Sequence, residues 1–456
     1  MKAISRRLLI LLAVLALVAA ACGDDGGGAG DTTTAAPGTT AAPGTTAAPA
    51  TTASPGTTAE PMGPVTITWW HIENNDPGLS IWQEAADAYM AEHSNVTIEI
   101  TVQENEAFKA ALQTNLQAGD VPDIFQSWGG GGLRDQVDAS LVQDITALAA
   151  SWIDELEPGA VSMMEVDEAL YGVPWDLGIV GFWYNKTLFA EAGIEAPPAT
   201  WAELLEDVQA LQDAGITPIS LGAGDKWPAM FWYAELALRI GGADVMQQAA
   251  IDRNFNDPAF LAAGEALQEL IAMDPFQSGF LAAPWDGPDG QAAVVANSEA
   301  AMHLMGHWAP GTQSANGPDL AATDELGWFQ FPAVEGGAGA ATDAFGGGNG
   351  YAVGKDAPPE AVDFLRYLTS LDVARQLGET GSRLPVTIGA EDSITDPNLV
   401  DVIAGRGQAE YVQLYLDQAY PPAVGAAVND IIQALFAGQA TPQDVVDSVN
   451  DAWASE

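Results

Sequence analysis

One cysteine in 456 residues cannot close an internal disulfide. With only four histidines and no cysteine cluster, there is little from which to build a metal site, and neither a metal nor a cofactor is expected. Lys and Arg are scarce too, 14 against 62 Asp and Glu, for a formal net charge of −48. A surface of that sign repels nucleic acid, whose binding rests on neutralising phosphates. It favours solubility, and reads as a salt-tolerant surface rather than one acidic patch. Neither G-x-S-x-G nor H-E-x-x-H occurs, so two hydrolase signatures are missing. Paired carboxylates could serve a glycosidase, but 62 acids supply pairs by number alone. No apolar run reaches the ~20 residues of a membrane span. What the chain has in excess is tryptophan, 14 of them.

Lys2, Arg6 and Arg7 precede the apolar run Leu8 to Val18, and Ala19, Ala20 and Ala21 lead to Cys22, the pattern of a secretory signal over residues 1–21. The run LVAAAC resembles a bacterial lipoprotein processing site, with Ala19 where leucine is usual. That resemblance implies that Cys22 is lipidated and becomes the mature N-terminus, each buried CH₂ of its chains contributing about 0.8 kcal/mol of membrane affinity. Residues 22–64 repeat a TTAAPG-like hexamer and read as an extended, mobile linker. Removing the three basic residues of the signal from 14 leaves 11 against 62 acids, a mature net charge of −51.

The rest suits two domains. VTITWW (65–70) and NVTIEITV (95–102) alternate as strands, and LSIWQEAADAYMAEH between them carries Leu79, Trp82, Ala86 and Tyr89 on one helical stripe. Phe108, Leu112 and Leu116 mark a second helix with Gly119 as its C-cap. PDIFQSW then reads as a strand running into a glycine loop, GGGG (129–132). This alternation predicts an open, mostly parallel α/β sheet. FWYN (182–185) is a further strand, Thr200 and Glu203 a capping box, and Thr441 with Pro442 another helix start. In SEAAMHLMGHWAP (298–310), His303 and His307 stand four apart, but Gly306 and Pro310 break any helix. On a strand the two imidazoles lie ~13 Å apart, at 3.3 Å per residue, too far for one zinc ion to bridge. Trp308 is the better candidate in that stretch.

Several segments, taken in order, resemble the extracellular solute-binding proteins of ABC sugar importers, the branch that includes maltose-binding protein. They are ITWWHIENN, AGDVPDI, LVQDIT, YGVP, WYNKTLFAEAGIEAPPATWAEL, SEAAMHLMGHW, FGGGNGYAVGKDAPPEAVDFLRYL and LPV. The resemblance runs from about Val65 to the C-terminus. It implies a two-lobed periplasmic-binding-protein-like fold (type II) with a ligand cleft between the lobes. It also implies a discontinuous N-lobe (65–180 plus 348–396) and C-lobe (181–347 plus 397–456). The implied activity is capture of a mono- or oligosaccharide by hinge closure, without catalysis. The sugar passes to ABC permease subunits from a monomer tethered at the outer face of the bacterial cytoplasmic membrane.

By position in the motifs, Trp308 is the residue that stacks on the sugar, and Trp175 and Asp176 lie on a crossing segment that supplies polar contacts. His71, Glu73, Asn74 and Trp128 line the cleft from the N-lobe. Asp225, Lys226 and Trp227 offer another aromatic or polar contact, and Gly347 to Asn349 and Tyr420 follow by position. The chain departs from maltose-binding protein where GGGG replaces a charged loop, and FQSWGGGG with FGGGNG looks closer to relatives that bind xylo-oligosaccharides or amino sugars. The residue chemistry agrees: aromatic rings cover the apolar faces of a pyranose, while Asp, Glu, Asn and Lys satisfy its hydroxyls. Trp70, Trp128, Trp175, Trp227 and Trp308 lie at strand ends or in loops, whereas Trp82 and Trp201 sit on helical stripes and are expected in the core. An alternative ligand, a polyamine or other cationic solute, would use the acids and an aromatic cage.

Overall fold

A computed structural model describes residues 63–456. The signal, Cys22 and all but the end of the linker lie outside the described residues. Among the described residues no helix is long and apolar enough to cross a membrane.

The strands are β1 (Val65–His71), β2 (Val96–Val102), β3 (Ile124–Ser127), β4 (Glu165–Val166), β5 (Ala169–Leu170), β6 (Gly172–Ile179), β7 (Gly181–Asn185), β8 (Met302–Met305), β9 (Leu326–Phe329), β10 (Ala344–Val353) and β11 (Val412–Leu414). β1 pairs in parallel with β2 and β3, as strand–helix–strand crossovers require. Of the expected stripe on Gly78–Glu92, Trp82, Ala86 and Tyr89 are buried and Leu79 only half-buried, with Ala85 buried beside them. Gly119 caps Asn105–Ala118 at φ 70°, and both capping boxes, Thr200 with Glu203 and Thr441 with Asp444, are closed.

β10 does more than finish a sheet. Its C-terminal half pairs antiparallel with β3, its N-terminal end pairs in parallel with β11, and β6 runs antiparallel along its other edge. The register shifts between Asn349 and Gly350. The middle of this ribbon is glycine because the two backbones nearly touch: a Cβ on Gly348 would stand 2.0 Å from the Asp176 carbonyl oxygen. The second sheet, β8-β7-β9, is wholly antiparallel. The mostly parallel sheet expected from the sequence is therefore confined to β1–β3 and β10–β11. β8 and β9 come to β7 from distant segments, and antiparallel pairing needs no particular crossover.

Two hydrophobic clusters form. The first gathers Trp69, Trp82, Phe108, Phe125, Trp152, Trp175, Tyr351 and Phe364. The second gathers Phe182, Trp183, Trp201, Trp232, Phe255, Leu304, Phe345 and Trp453. Trp82 and Trp201 are thus core residues. Leu384 and Ile394, inside the segment 348–396 expected in the N-lobe, pack in the second cluster, while Val386 packs in the first.

GGGG departs from expectation. Gly130 opens a helix, Gly130–Asp138, instead of a loop. Its glycines answer close backbone approach: Cβ atoms on Gly129, Gly130 and Gly131 would lie 2.0, 2.3 and 2.2 Å from the carbonyl oxygens of Met163, Gln418 and Tyr420.

Candidate functional site

Between the two clusters lies a cavity of about 150 Å³. Elements of both clusters wall it: the loop after β1, the start of Asn105–Ala118 and Trp128 on one side, and Trp227, Phe231, Trp285, Trp308 and Tyr415 on the other. Gly347, Gly348 and Asn349 of β10 form its floor.

Each aromatic arrives by a local rule. Trp128 is the first residue past β3, and Lys109 Nζ sits 5.5 Å from its ring centroid. Trp227 opens the helix Trp227–Asp252, with Pro228 in the first turn where no amide hydrogen is needed. Trp308 follows the short β8 and precedes the helix Ala309–Asn316. Trp285 is held by its own amide, which donates to Asp225 Oδ2 at 2.7 Å.

The polar groups are mostly tied in advance. Arg383 Nη2 donates to Glu73 Oε2 at 2.6 Å, and Arg383 Nη1 to the Ser382 carbonyl. Burial would pull the Arg383 guanidinium down, but Glu73 and Asp176 outweigh it and hold it above its ordinary value. Asp225 is pushed up to about 6 by burial, opposed by the Trp285 amide and assisted by Glu106 and Glu104. Asp286 accepts from Asn75 Nδ2 (3.0 Å) and Asn316 Nδ2 (2.6 Å). A relay crosses the floor: Gln126 Nε2 donates to Asn349 Oδ1 (2.7 Å), Asn349 Nδ2 to Asp176 Oδ1 (2.8 Å), and Asp176 Oδ2 meets His307 Nε2 (2.9 Å).

Of the residues singled out in the sequence, Glu73, Asn74, Trp128, Trp227, Trp308 and Gly347 to Asn349 line the cavity. The others do not. Trp175 faces the first cluster, edge-on to Trp82 at 5.2 Å, because alternation on β6 turns its side chain away from that of Asp176. Asp176 is wholly buried and spends its oxygens on Asn349 and His307, behind the wall. Lys226 points to Asp430 at 2.5 Å, and Asp225 serves Trp285 from behind. Tyr420 is buried against Trp453, ring centroids 5.2 Å apart. His71 is buried beside Trp69, and loss of solvent lowers its pKa to about 4. His303 is buried between Gln291 and Gln313, its pKa lowered to about 3 for the same reason.

Sequence reasoning missed Trp285, Asp286, Tyr415 and Arg383, all in the lining. The stretch APWDGPDG carries a signal in hindsight, an aromatic and an acid inside a proline/glycine turn. Arg383 stands next to the proline motif LPV.

The profile of the bacterial extracellular solute-binding proteins matches residues 74–374. An uncharacterized ABC transporter extracellular-binding protein of Pyrococcus horikoshii is 28% identical over 216 residues, 46% of this chain. The alignment spans 47% of that relative, about half its length. A lactose-binding protein of Rhizobium radiobacter is 25% identical over 358 residues, 72% of this chain and 76% of that protein. Among solved structures, one from work on xylan utilization by the thermophilic bacterium Caldanaerobius polysaccharolyticus superposes with a TM-score of 0.78 at 27% identity, covering 85% of this chain and 99% of that one. A chitin oligosaccharide binding protein gives 0.78 at 23% identity, covering 86% and 98%. The fold is the two-lobed type II periplasmic-binding fold, and the cavity lies between its lobes.

Proposed function

The chain belongs to the bacterial extracellular solute-binding proteins, and from that premise we propose that it captures a mono- or oligosaccharide by lobe closure and delivers it to the permease of an ABC importer. The observation that carries this reading is the cavity, where Trp128 on one lobe faces Trp227, Trp285 and Trp308 on the other, with Glu73, Asn74, Asn349, Asp286 and Arg383 among them. Tryptophan faces cover the C–H faces of a pyranose, and the carboxylates, amides and guanidinium pair with hydroxyls that burial would otherwise leave unsatisfied. Relatives named for lactose and for multiple sugars support the same class of ligand. We place the lobes at 65–180 with 348–396 and at 181–347 with 397–456, the chain crossing near Gly181, near Gly348 and near Pro397. The protein works as a monomer, binds without turnover, and is tethered through lipid on Cys22, so that Cys22→Ala moves it from the membrane fraction to the medium.

Tryptophan fluorescence tests the reading. The purified domain is titrated with gluco-, xylo- and galacto-oligosaccharides and with spermidine, at low and high salt, and the sugar is recovered afterwards. The expected result is a saturable change with one sugar, insensitive to salt, lost in Trp308→Ala, with the sugar recovered intact. Silence with every sugar and a salt-sensitive response to spermidine sinks it.

A further inference from the structure

Four rings follow one another in a row along one wall of the cavity, with planes turned 63°, 58° and 80° from each to the next. Trp285 to Trp227, Trp227 to Trp308, and Trp308 to Tyr415 are separated by 6.1, 6.3 and 6.1 Å between centroids. Each step is on the order of one sugar ring, so the row is long enough to meet about two or three pyranoses with ring faces and edges in turn.

Contacts between the lobes stand at both ends of this row, and they differ in kind. At the Trp285 end the closure is made by side chains. Asp286, the next residue, accepts from Asn75 of the opposite lobe at 3.0 Å and from Asn316 of its own lobe at 2.6 Å. At the Tyr415 end the closure is made by backbone. Gly130 and Gly131 lie against Gln418 and Tyr420 so closely that a Cβ on either would stand 2.3 or 2.2 Å from a carbonyl oxygen. A sugar chain leaving past Tyr415 would have to force apart a pair of backbones in contact. One leaving past Trp285 would have to break the Asn75–Asp286 hydrogen bond and strip a partner from a half-buried carboxylate.

We infer that the site takes a whole short oligosaccharide with both termini enclosed and excludes longer chains, and that the Asn75–Asp286 clasp sets the length limit. This rests on the sugar reading above. The limit falls on the clasp because side chains can turn aside, whereas the glycine seam can open only if the lobes separate.

The test is calorimetric titration of the domain with xylo-, chito-, malto- and galacto-oligosaccharides of one to six units, against wild type and Asn75→Ala. In the series that binds, affinity should rise to two or three units and fall by about tenfold or more at five and six, the cost of a lost clasp and of a carboxylate oxygen stripped of its partner. In Asn75→Ala, with an unchanged melting temperature, the ratio of long-chain to short-chain affinity should recover by about fivefold or more. Gly131→Ala, which obstructs the seam, should weaken every length alike. A wild-type affinity that levels off with length overturns the inference while leaving the sugar reading intact. A ratio unchanged in Asn75→Ala removes the clasp as its cause. No binding at any length in any series overturns the sugar reading itself.

Discussion

Glu235 is fully buried on the helix Trp227–Asp252, and neither carboxylate oxygen has a hydrogen-bond partner. Arg239 Nη2 stands 3.4 Å away, out of line for a hydrogen bond, and Arg239 donates instead to the carbonyls of Phe331 and Asp343. Burial pushes the Glu235 carboxyl from its ordinary 4.5 up to about 7, against the pull of Arg239. Between those values the folded chain holds a proton that the unfolded chain has lost, so stability falls as pH rises through the window. Glu235→Gln does not titrate. Its melting temperature relative to wild type should therefore climb from pH 4.5 to about 7 and then stay level, and a difference flat across that range would refute the assignment. At this scale the sequence was legible where a tryptophan broke a pattern, as Trp128 and Trp308 do at strand ends. It was not legible where the partner decided. Asp176 and Lys226 are polar residues in the expected segments, but His307 and Asp430, which occupy them, lie far along the chain.

Among the elements, the ribbon of β6 and β10 and the helix at Gly130 both depend on glycine, for reasons that differ residue by residue. Gly348→Ala would drive a methyl to 2.0 Å from the Asp176 carbonyl, and overpacking of this kind costs about 1–3 kcal/mol or more. Gly132, on Gly130–Asp138, has nothing within 4 Å of its missing Cβ. There the same change should stabilise by about 0.4–1 kcal/mol through the unfolded chain. Urea midpoints of the two variants should move in opposite directions. A shared direction would mean that close approach does not explain these glycines. The alternation of β1 and β2, most of the stripe on Gly78–Glu92 and the helix starts at Thr200 and Thr441 were readable, because each is set by residues within a few positions. GGGG reads as a loop in sequence because its contacts, Met163, Gln418 and Tyr420, come from distant segments.

For the whole molecule, 62 acids against 14 basic residues mean that folding concentrates like charge. Salt screens such repulsion over a Debye length of about 10 Å at 0.1 M. The melting temperature should rise steadily between 10 mM and 1 M sodium chloride, and a flat profile would show that the acids are compensated locally. Two domains were legible from length, an α/β class from pattern and the two-lobed fold from the family resemblance, but the second sheet was not, since its strands β7, β8 and β9 lie far apart along the chain.

The dual pairing of β10 has a consequence for the order in which the chain is made. Until Ala344–Val353 leaves the ribosome, β3 has β1 on one side and nothing on the other. An unpaired edge is a template for intermolecular pairing, and the first lobe cannot shield it with any strand synthesised earlier. The antiparallel sheet of β7, β8 and β9 is complete by Phe329, so the lobe that begins first is the later one to close its sheet. That delay leaves β3 open to pairing with other chains for as long as the intervening residues take to be made.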